Sequence, residues 1–327
     1  MNKPFLLIAL LVIVWLNVVR AQLFPDLGGQ RAGTSTVQFL KIGVGARATA
    51  MGESFVSVAN DASALYWNPA GLTQFPQNQA FFGHTNWFVD IGHEFFGAVY
   101  HLTPDDAVGI SVTSLHTDDM PVTTEVQPLG TGEYFKFGDI AVGVSFARKL
   151  TDQFSFGGTI RYVDETLDVL KMNGVMLDFG TYYWTGLGTS RFSAVVANFG
   201  NQMKPTGTAP LLGGGSVTSF QEFTPPTVFR FGFAFEPIND EDNVMTTSFQ
   251  LNHPNDNSEN FGIGVEYRWM KILSLRGGYK INAPGQTYSL GVGFETSLSL
   301  VHVVVDYGFA AFTDLGGVHR ISILVGL

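Results

Sequence analysis

The sequence of 327 residues contains no cysteine, so it can form neither a disulfide framework nor a thiolate metal site. It also has little charge, because Asp, Glu, Lys and Arg make up 14% of the residues, against roughly 25% in a typical soluble domain. After residue 21 no stretch approaches the ~18 consecutive apolar residues of a transmembrane helix. The net charge of −10 argues against nucleic acid as a partner, because basic surfaces bind nucleic acids.

Motifs for catalysis and for cofactor binding are also missing, so we predict a protein that is not an enzyme and has no cofactor. The seven histidines are scattered without metal-ligand spacing, and there is no G-x-S-x-G nucleophile elbow. The G-x-G-x-x-A string from Gly43 to Ala48 lacks the following long helix and acidic strand of a dinucleotide site. The acidic run from Asp240 to Asp242 is better explained as a solvated turn than as a calcium site.

The first 21 residues have the composition of a secretory signal peptide. Lys3 supplies the positive start, and residues 5–19 form an almost unbroken apolar stretch. Val19 and Ala21 place small residues at the usual cleavage positions, so we predict that Gln22 is the first mature residue. An uncleaved anchor helix is the alternative, because the apolar stretch is near the lower length limit for spanning a membrane.

Bulky apolar residues alternate with small or ionic ones from about residue 76 to the C-terminus. Clear examples are 140–146, 229–235 and 261–269. This period of two places the two kinds of residue on opposite faces of a β-strand. Most of the predicted strands have about 9 to 12 residues, which is enough to cross a bilayer at a tilt. The fourteen strands are predicted at 79–86, 94–102, 107–116, 138–149, 153–165, 173–184, 189–199, 227–236, 244–253, 259–269, 272–281, 286–296, 299–310 and 317–327.

The lengths of the connections indicate how these strands are arranged. Short connections alternate with longer ones, as do the periplasmic turns and external loops of outer-membrane barrels. A soluble β-sandwich would also alternate, but its solvent face would need more charge than the Gly/Ser/Ala-rich face provides. We therefore predict an all-β fold, a 14-stranded antiparallel transmembrane β-barrel in the outer membrane, with both termini periplasmic. In this division residues 1–21 are the signal peptide, 22–75 are an N-terminal segment that includes a plug (hatch) in the lumen, and 76–327 form the barrel.

Ionic residues of the strands mostly alternate with the bulky apolar ones and are predicted to point into the lumen. A cationic side chain that faces lipid at mid-membrane would cost about 2–4 kcal/mol. These residues either pair with one another and with lumenal residues such as Arg47 and Asp61, or line a pathway. Their mixed sign favours pairing over an ion-selective pore. The predicted lumenal residues are Arg148, Arg161, Asp178, Arg230, Glu266, Arg268, Arg276, Lys280, Glu295, Asp306 and Arg320.

The stretch from residue 37 to residue 72 is rich in small residues and does not alternate. Asp61 is placed to cap a short helix through Ala64 and Tyr66, and Asn68-Pro69 is a second cap with proline at the first helical position. Such compact structure fits inside a barrel better than it forms its own core. The strings GARATAMG and DASALYWNPAGL resemble the PorV/PorQ family of outer-membrane proteins in the FadL-like superfamily. Asn68, Pro69 and Ala70 match the hatch motif of that superfamily.

The resemblance implies a role in type IX secretion. There, such barrels bind or shuttle secreted cargo proteins that carry a C-terminal sorting domain, or associate with other secretion components. The long loops 117–137 and 200–226 would make these contacts, although both loops would equally suit closure of the barrel mouth. The candidate contact residues are Met120, Val122, Leu211, Leu212, Phe220 and Phe223.

The wider superfamily implies a second hypothesis, a FadL-like channel for the uptake of hydrophobic small molecules. Such a channel needs a gap in the barrel wall and a movable hatch. Glycines in the early strands would permit a kink in the wall, or would make room for the lumenal segment. These glycines are Gly83, Gly97 and Gly109.

Overall fold

The computed structural model describes residues 32–211, 214–283, 285–298 and 301–327. The predicted signal peptide and residues 22–31 lie outside this part of the chain. Fourteen strands form one closed antiparallel barrel in which β1 pairs with β18, so the predicted fold class is confirmed. The largest shifts from the predicted bounds are at the start of β8, at 170 rather than 173, and at the end of β12, at 239 rather than 236.

The barrel strands follow one another around the wall in chain order. Four further strands of two residues each form two hairpins within the long loops, which the alternation did not predict. The strands are β1 (Gln79–Asn86), β2 (Gly92–His101), β3 (Asp106–His116), β4 (Met120–Pro121), β5 (Tyr134–Phe135), β6 (Phe137–Lys149), β7 (Phe154–Leu167), β8 (Leu170–Trp184), β9 (Arg191–Gly200), β10 (Ala209–Pro210), β11 (Ser216–Val217), β12 (Val228–Asn239), β13 (Asn243–Pro254), β14 (Asn260–Trp269), β15 (Leu273–Ile281), β16 (Gln286–Leu298), β17 (Val301–Phe312) and β18 (Gly316–Gly326).

The two ends of the barrel differ in their connections. Gln79 at the start of β1 pairs with Gly326 at the end of β18, so the barrel wall starts and finishes at the same end of the barrel, which we call the terminal end. The turns that follow β2, β6, β8, β12, β14 and β16 also lie there. The long connections β3–β6 and β9–β12 lie at the opposite end, which we call the loop end.

The wall has an apolar outer face and a small or polar inner face. In β12, Phe229 and Phe231 are exposed whereas the intervening Arg230 is buried. In β6, Val142 and Val144 are exposed whereas Ser145 is buried. Because the outer face is apolar around the wall, it suits contact with lipid, while polar groups are collected inside.

Residues 34–75, which we call the inner segment, are packed against the inner face of the wall. Their regular elements are short: the 3₁₀ helices Gln38–Lys41 and Pro69–Thr73, and the α-helices α1 (Ala46–Ala50) and α2 (Ala64–Trp67). Among the described residues, no helix has the length and apolar character needed to span a membrane. Trp67 and Phe55 are fully buried and meet edge to face, with 6.0 Å between ring centroids.

The two predicted helix caps have different outcomes. The side chain of Asn68 accepts a hydrogen bond from the Ala70 N–H, and Pro69 occupies the first helical position, as predicted. Asp61 does not cap α2, whose N-cap residue is Ser63. Oδ1 of Asp61 instead accepts a hydrogen bond from the Ser63 N–H at 2.9 Å. Oδ2 of Asp61 accepts from Arg47, with which Asp61 forms an ion pair.

Glycines of the wall allow the inner segment to approach closely. A methyl group at Gly157 would lie 2.5 Å from the carbonyl carbon of Pro69, and one at Gly180 would collide with Oδ1 of Asn68. Asn68 also donates to the Thr181 carbonyl of β8 at 3.0 Å. The hatch motif is therefore seated on a patch of wall where a larger residue would not fit.

Candidate functional site

A chain of buried ion pairs connects the inner segment to the wall on the terminal side of the lumen. Arg47 pairs with Asp61 and with Glu266 of β14, each at 2.8 Å. Glu266 also accepts from Arg276 of β15 at 2.6 Å, and Arg276 reaches Asp306 of β17 at 2.6 Å. Burial alone would lower the pKa of Arg47, but the two carboxylates outweigh burial and raise it. This network joins the helix α1 to strands β14, β15 and β17.

Further ion pairs lie on other sides of the lumen. Lys280 of β15 donates to Glu53 of the inner segment at 2.5 Å. Arg161 pairs with Asp178 between β7 and β8 at 2.7 Å, so both predicted lumenal residues are inside. The pair of Arg191 and Glu236 at 2.7 Å was missed, although alternation with the outward Phe192 and Phe235 places both residues on the inner face.

Several other predicted lumenal residues do not take part in these ion pairs. Arg268 and Glu295 line a cavity of about 120 Å³ on the terminal side, next to Arg47. Glu295 lies 3.5 Å from His302 and is only partly buried. Arg230 and Arg320 are buried and lie over aromatic rings of the chain, at 5.5 Å from Trp67 and 5.6 Å from Trp87 respectively.

The prediction for Arg148 is wrong. Its side chain is on the outer face, exposed, and pairs with Asp106 at 2.6 Å at the terminal end of β3 and β6. The reason is the alternation itself, because Arg148 has the same parity as the outward Phe146. At a strand end it can reach water or lipid headgroups, so an outward charge is tolerated there.

The inner segment is anchored at the loop end by Asp256, in the connection between β13 and β14. Its carboxylate accepts from Lys41 at 2.9 Å and also from Ser35 and Gln38. Burial alone would raise the pKa of Asp256, but these donors outweigh burial and lower it. The first residues of the inner segment are thus held to a loop as well as to the wall.

An apolar cleft of about 630 Å³ opens at the loop end between the start of the inner segment and strands β3, β6, β7 and β8. Its walls combine aromatic and aliphatic side chains from several elements. Two acids also face it. Glu165 accepts from the Val37 N–H at 2.8 Å, whereas Asp139 is 4% exposed and its Oδ1 has no hydrogen-bond partner among the described residues. The apolar lining includes Phe39, Ile42, Trp87, Leu115, Phe137 and Met172.

The two long loops behave differently. Loop 200–226 folds inward, with an antiparallel bridge from Thr206 to Lys171 and a parallel bridge from Thr224 to Ser35, and Phe220 and Phe223 line the cleft. Leu211 is exposed, and Leu212 lies outside the described residues. Loop 117–137 forms the β4–β5 hairpin, in which Met120 and Val122 are half-buried.

The apolar residues that this hairpin exposes most are Val126 and Leu129, at 89% and 98%. They were missed from the sequence, because neither lies in a periodic pattern that marks a surface. The only available signal was that both are apolar residues in a loop otherwise rich in Thr, Gly and acidic residues.

The early strands pair without interruption. The ladder from β1 to β2 runs from Gln79 and Val99 to Asn86 and Gly92, and β2 pairs with β3 in the same unbroken way. Methyl groups at Gly97 and Gly109 would lie 2.8 and 2.5 Å from Leu65. These glycines therefore make room for the inner segment, and the described part of β1 to β3 has no kink that opens the wall.

Comparisons with known proteins agree with this architecture. A family model described as type IX secretion system protein PorV matches residues 27–254. Among solved structures, the chain is similar to the Pseudomonas putida toluene transporter TodX, with 13% identity, a TM-score of 0.57, and coverage of 87% of this chain and 96% of TodX. A Pseudomonas aeruginosa FadL homologue has 12% identity and a TM-score of 0.56, with coverage of 93% of this chain and 98% of the homologue. The Ralstonia pickettii toluene transporter TbuX has 13% identity and a TM-score of 0.56, with coverage of 87% of this chain and 97% of TbuX. No curated protein sequence matches the chain.

Proposed function

Because the chain belongs to the PorV family of type IX secretion system proteins, we propose that this outer-membrane barrel binds or shuttles secreted cargo proteins with a C-terminal sorting domain. The role is non-enzymatic, and other secretion components are further partners. The observation that carries the proposal is the contrast between a filled lumen and an exposed apolar hairpin at the loop end.

The filling of the lumen supports docking rather than free passage. Side chains of the inner segment such as Met51, Leu65 and Leu72 are fully buried, and ion pairs hold the segment at several heights. A conducting pore would instead present rings of one charge along an open path. We infer that the inner segment acts as a plug rather than as a selective filter.

The β4–β5 hairpin supplies a surface for a protein partner. Val126 and Leu129 stand almost fully in solvent, where an isolated apolar pair adds nothing to the stability of the barrel. The buried centre of a protein interface is more apolar than its rim, so these two side chains suit a contact with a protein partner. We infer that the terminal end, with its short turns, faces the periplasm, so that this hairpin lies outside the cell.

An affinity purification tests the docking role. The tagged full chain is recovered from native outer membranes, and co-purified proteins are identified by mass spectrometry. We expect secreted proteins with sorting domains in the wild-type sample and their loss in the double variant Val126→Asp/Leu129→Asp. Leu187→Asp is the control, because Leu187 is also exposed but lies in a turn at the terminal end. Unchanged recovery in the double variant would contradict docking through this hairpin.

The apolar cleft favours a second candidate function, the uptake of hydrophobic small molecules. A cleft of about 630 Å³ lined by aromatic and aliphatic side chains has the size and character of a small-molecule site. Trp87 lies in its lining and reports on occupancy by fluorescence. In detergent-free nanodiscs, saturable quenching by a brominated hydrocarbon that Leu115→Arg abolishes would support uptake. Absence of saturation would leave docking as the remaining function.

A further inference from the structure

A further cavity lies beneath the loop end, between the inner segment and strands β12 to β15. Its volume is about 160 Å³, several times the roughly 30 Å³ that one water occupies in the liquid. Three cationic side chains line it, Lys41, Arg230 and Lys280, together with one acid, Glu53. The remaining wall is made of four side-chain amides and of the apolar residues Trp67, Val228 and Pro254.

Two of the three cations have their own carboxylate. Lys41 pairs with Asp256 at 2.9 Å, and Lys280 pairs with Glu53 at 2.5 Å. The amides also satisfy one another, since Gln250 donates to Asn252 at 2.7 Å. These groups are therefore neutralised or hydrogen-bonded by the chain itself.

Arg230 is the exception. It is 7% exposed, its Nη1 is buried without a hydrogen-bond partner, and no ion pair to it exists among the described residues. The central carbon of its guanidinium lies over Tyr66 and Trp67, at 5.7 and 5.5 Å from the ring centroids. The rings attract the positive charge but are not its counter-charge, so the unpartnered Nη1 is left to bind a ligand.

A second uncompensated cation lies nearby. Arg320 of β18 is 1% exposed, and its Nε and Nη1 have no hydrogen-bond partner among the described residues. Burial alone would raise the pKa of Glu53, but Lys280 lowers it, and Arg320 and Arg230 lower it further. Lys280, Arg320 and Arg230 therefore all act on this one carboxylate. Three positive groups act on one negative group, so the immediate surroundings of Glu53 carry an excess of two positive charges.

We propose that this cavity binds a small oxyanion, with inorganic phosphate as the type, through the N–H groups of Arg230 and with Lys280 and Lys41 beside it. A buried cation without a counter-charge is costly, and an anion removes that cost. A guanidinium presents parallel N–H groups that match the oxygens of phosphate or carboxylate. The site is independent of the apolar cleft and of the exposed hairpin, so it goes beyond the proposed function.

The test is a calorimetric titration of the full barrel in a neutral detergent with inorganic phosphate. We expect one phosphate per chain, and binding that is about tenfold or more weaker in Arg230→Gln, the loss expected for a charge-assisted hydrogen bond. Arg230→Lys keeps the charge and should retain part of the affinity. Arg268→Gln is the control, because Arg268 lines the cavities on the terminal side instead.

Each outcome decides the proposal. Dihexanoyl phosphatidic acid is titrated in parallel, and tighter binding than that of free phosphate, still lost in Arg230→Gln, would identify a lipid headgroup as the source of the oxyanion. If Arg230→Gln fails to fold, as judged by the heat-dependent mobility of the barrel on gels, Arg230→Lys and Arg268→Gln decide between the sites. No binding of either probe, equal binding in Arg230→Gln, or equal loss in Arg268→Gln would overturn the proposal.

Discussion

Arg47 of the inner segment and Glu266 of β14 form two parallel hydrogen bonds inside the lumen, 2.8 and 2.9 Å long. Glu266 also accepts from Arg276 at 2.6 Å, so a single carboxylate serves two arginines. A pair with this geometry is stable when buried only because each charge is compensated, and removal of the shared partner affects both arginines.

Substitution of Glu266 by Gln should therefore lower the free energy of unfolding by about 3–5 kcal/mol, the usual cost of breaking a buried ion pair. Urea unfolding of the barrel in detergent, followed by tryptophan fluorescence, measures the change. Glu295→Gln is the matched control, because Glu295 is partly exposed and 3.5 Å from His302, and should cost less than ~1 kcal/mol. Equal shifts for both variants would show that the shared carboxylate has no special role.

The contact between Gly180 and Asn68 predicts a pairwise effect. A methyl group at Gly180 would collide with Oδ1 of Asn68, so Gly180→Ala should destabilise the protein by about 1–3 kcal/mol. In an Asn68→Ala background the added cost should be smaller, because the colliding atom is gone. Gly277→Ala, whose methyl group would meet nothing nearer than Leu290 at 3.9 Å, should be close to neutral. Additive effects in the double variant would argue against this contact.

The anchor at Asp256 predicts a pH dependence. Its pKa is lowered in the folded protein, so its contribution to stability is present above the unfolded value of about 3.9 and is lost as pH falls through the folded value. Hydrogen exchange of residues 35–41 should therefore be slow at about pH 6 and accelerate at about pH 2.5, after correction for the intrinsic rate. Asp256→Asn should show fast exchange already at the higher pH.

Asp240→Asn is the control for that experiment. The hydrogen bonds of Asn243 also lower the pKa of Asp240, but Asp240 lies in an exposed turn at the terminal end, away from residues 35–41. Exchange of residues 35–41 should be unchanged in this variant. Accelerated exchange in both variants would indicate a global loss of stability rather than release of the anchor.

Arg148 and Arg161 allow a comparison of an outward and an inward arginine. Arg161→Leu leaves Asp178 buried without its cation and should cost about 3–5 kcal/mol. Arg148→Leu removes an exposed pair at a strand end and should change stability little. Urea midpoints of the two variants provide the measurement, and a large loss in Arg148→Leu would place that side chain in a more demanding environment than the outer face.

The wall was the most predictable part of the molecule, because alternation is a local property of each strand. The fourteen strands and their inner and outer faces follow from residues such as Phe229, Arg230 and Phe231. The same alternation also places Arg148 on the outer face, because Arg148 has the parity of Phe146. The charge of arginine alone is therefore not enough to assign a strand residue to the lumen.

The loop end and the lumenal contacts were less predictable, because they depend on residues far apart in the chain. The cleft combines Phe39 with Phe137 and Phe223, and none of their sequence neighbourhoods indicates the other two. The inward fold of loop 200–226 depends on two isolated bridges, which leave no periodic pattern. The lack of an ion pair at Arg230 likewise cannot be predicted from the sequence, because it depends on where the neighbouring carboxylates lie in the fold.

The position of the inner segment has a consequence for biogenesis. Only residues 76–78 separate it from β1, and β1 forms the seam with β18, the strand made last during synthesis. The ring cannot close until β18 has been made, whereas the inner segment is already attached next to the seam through β1. We therefore expect the wall to close around the inner segment, rather than the segment to enter a finished ring.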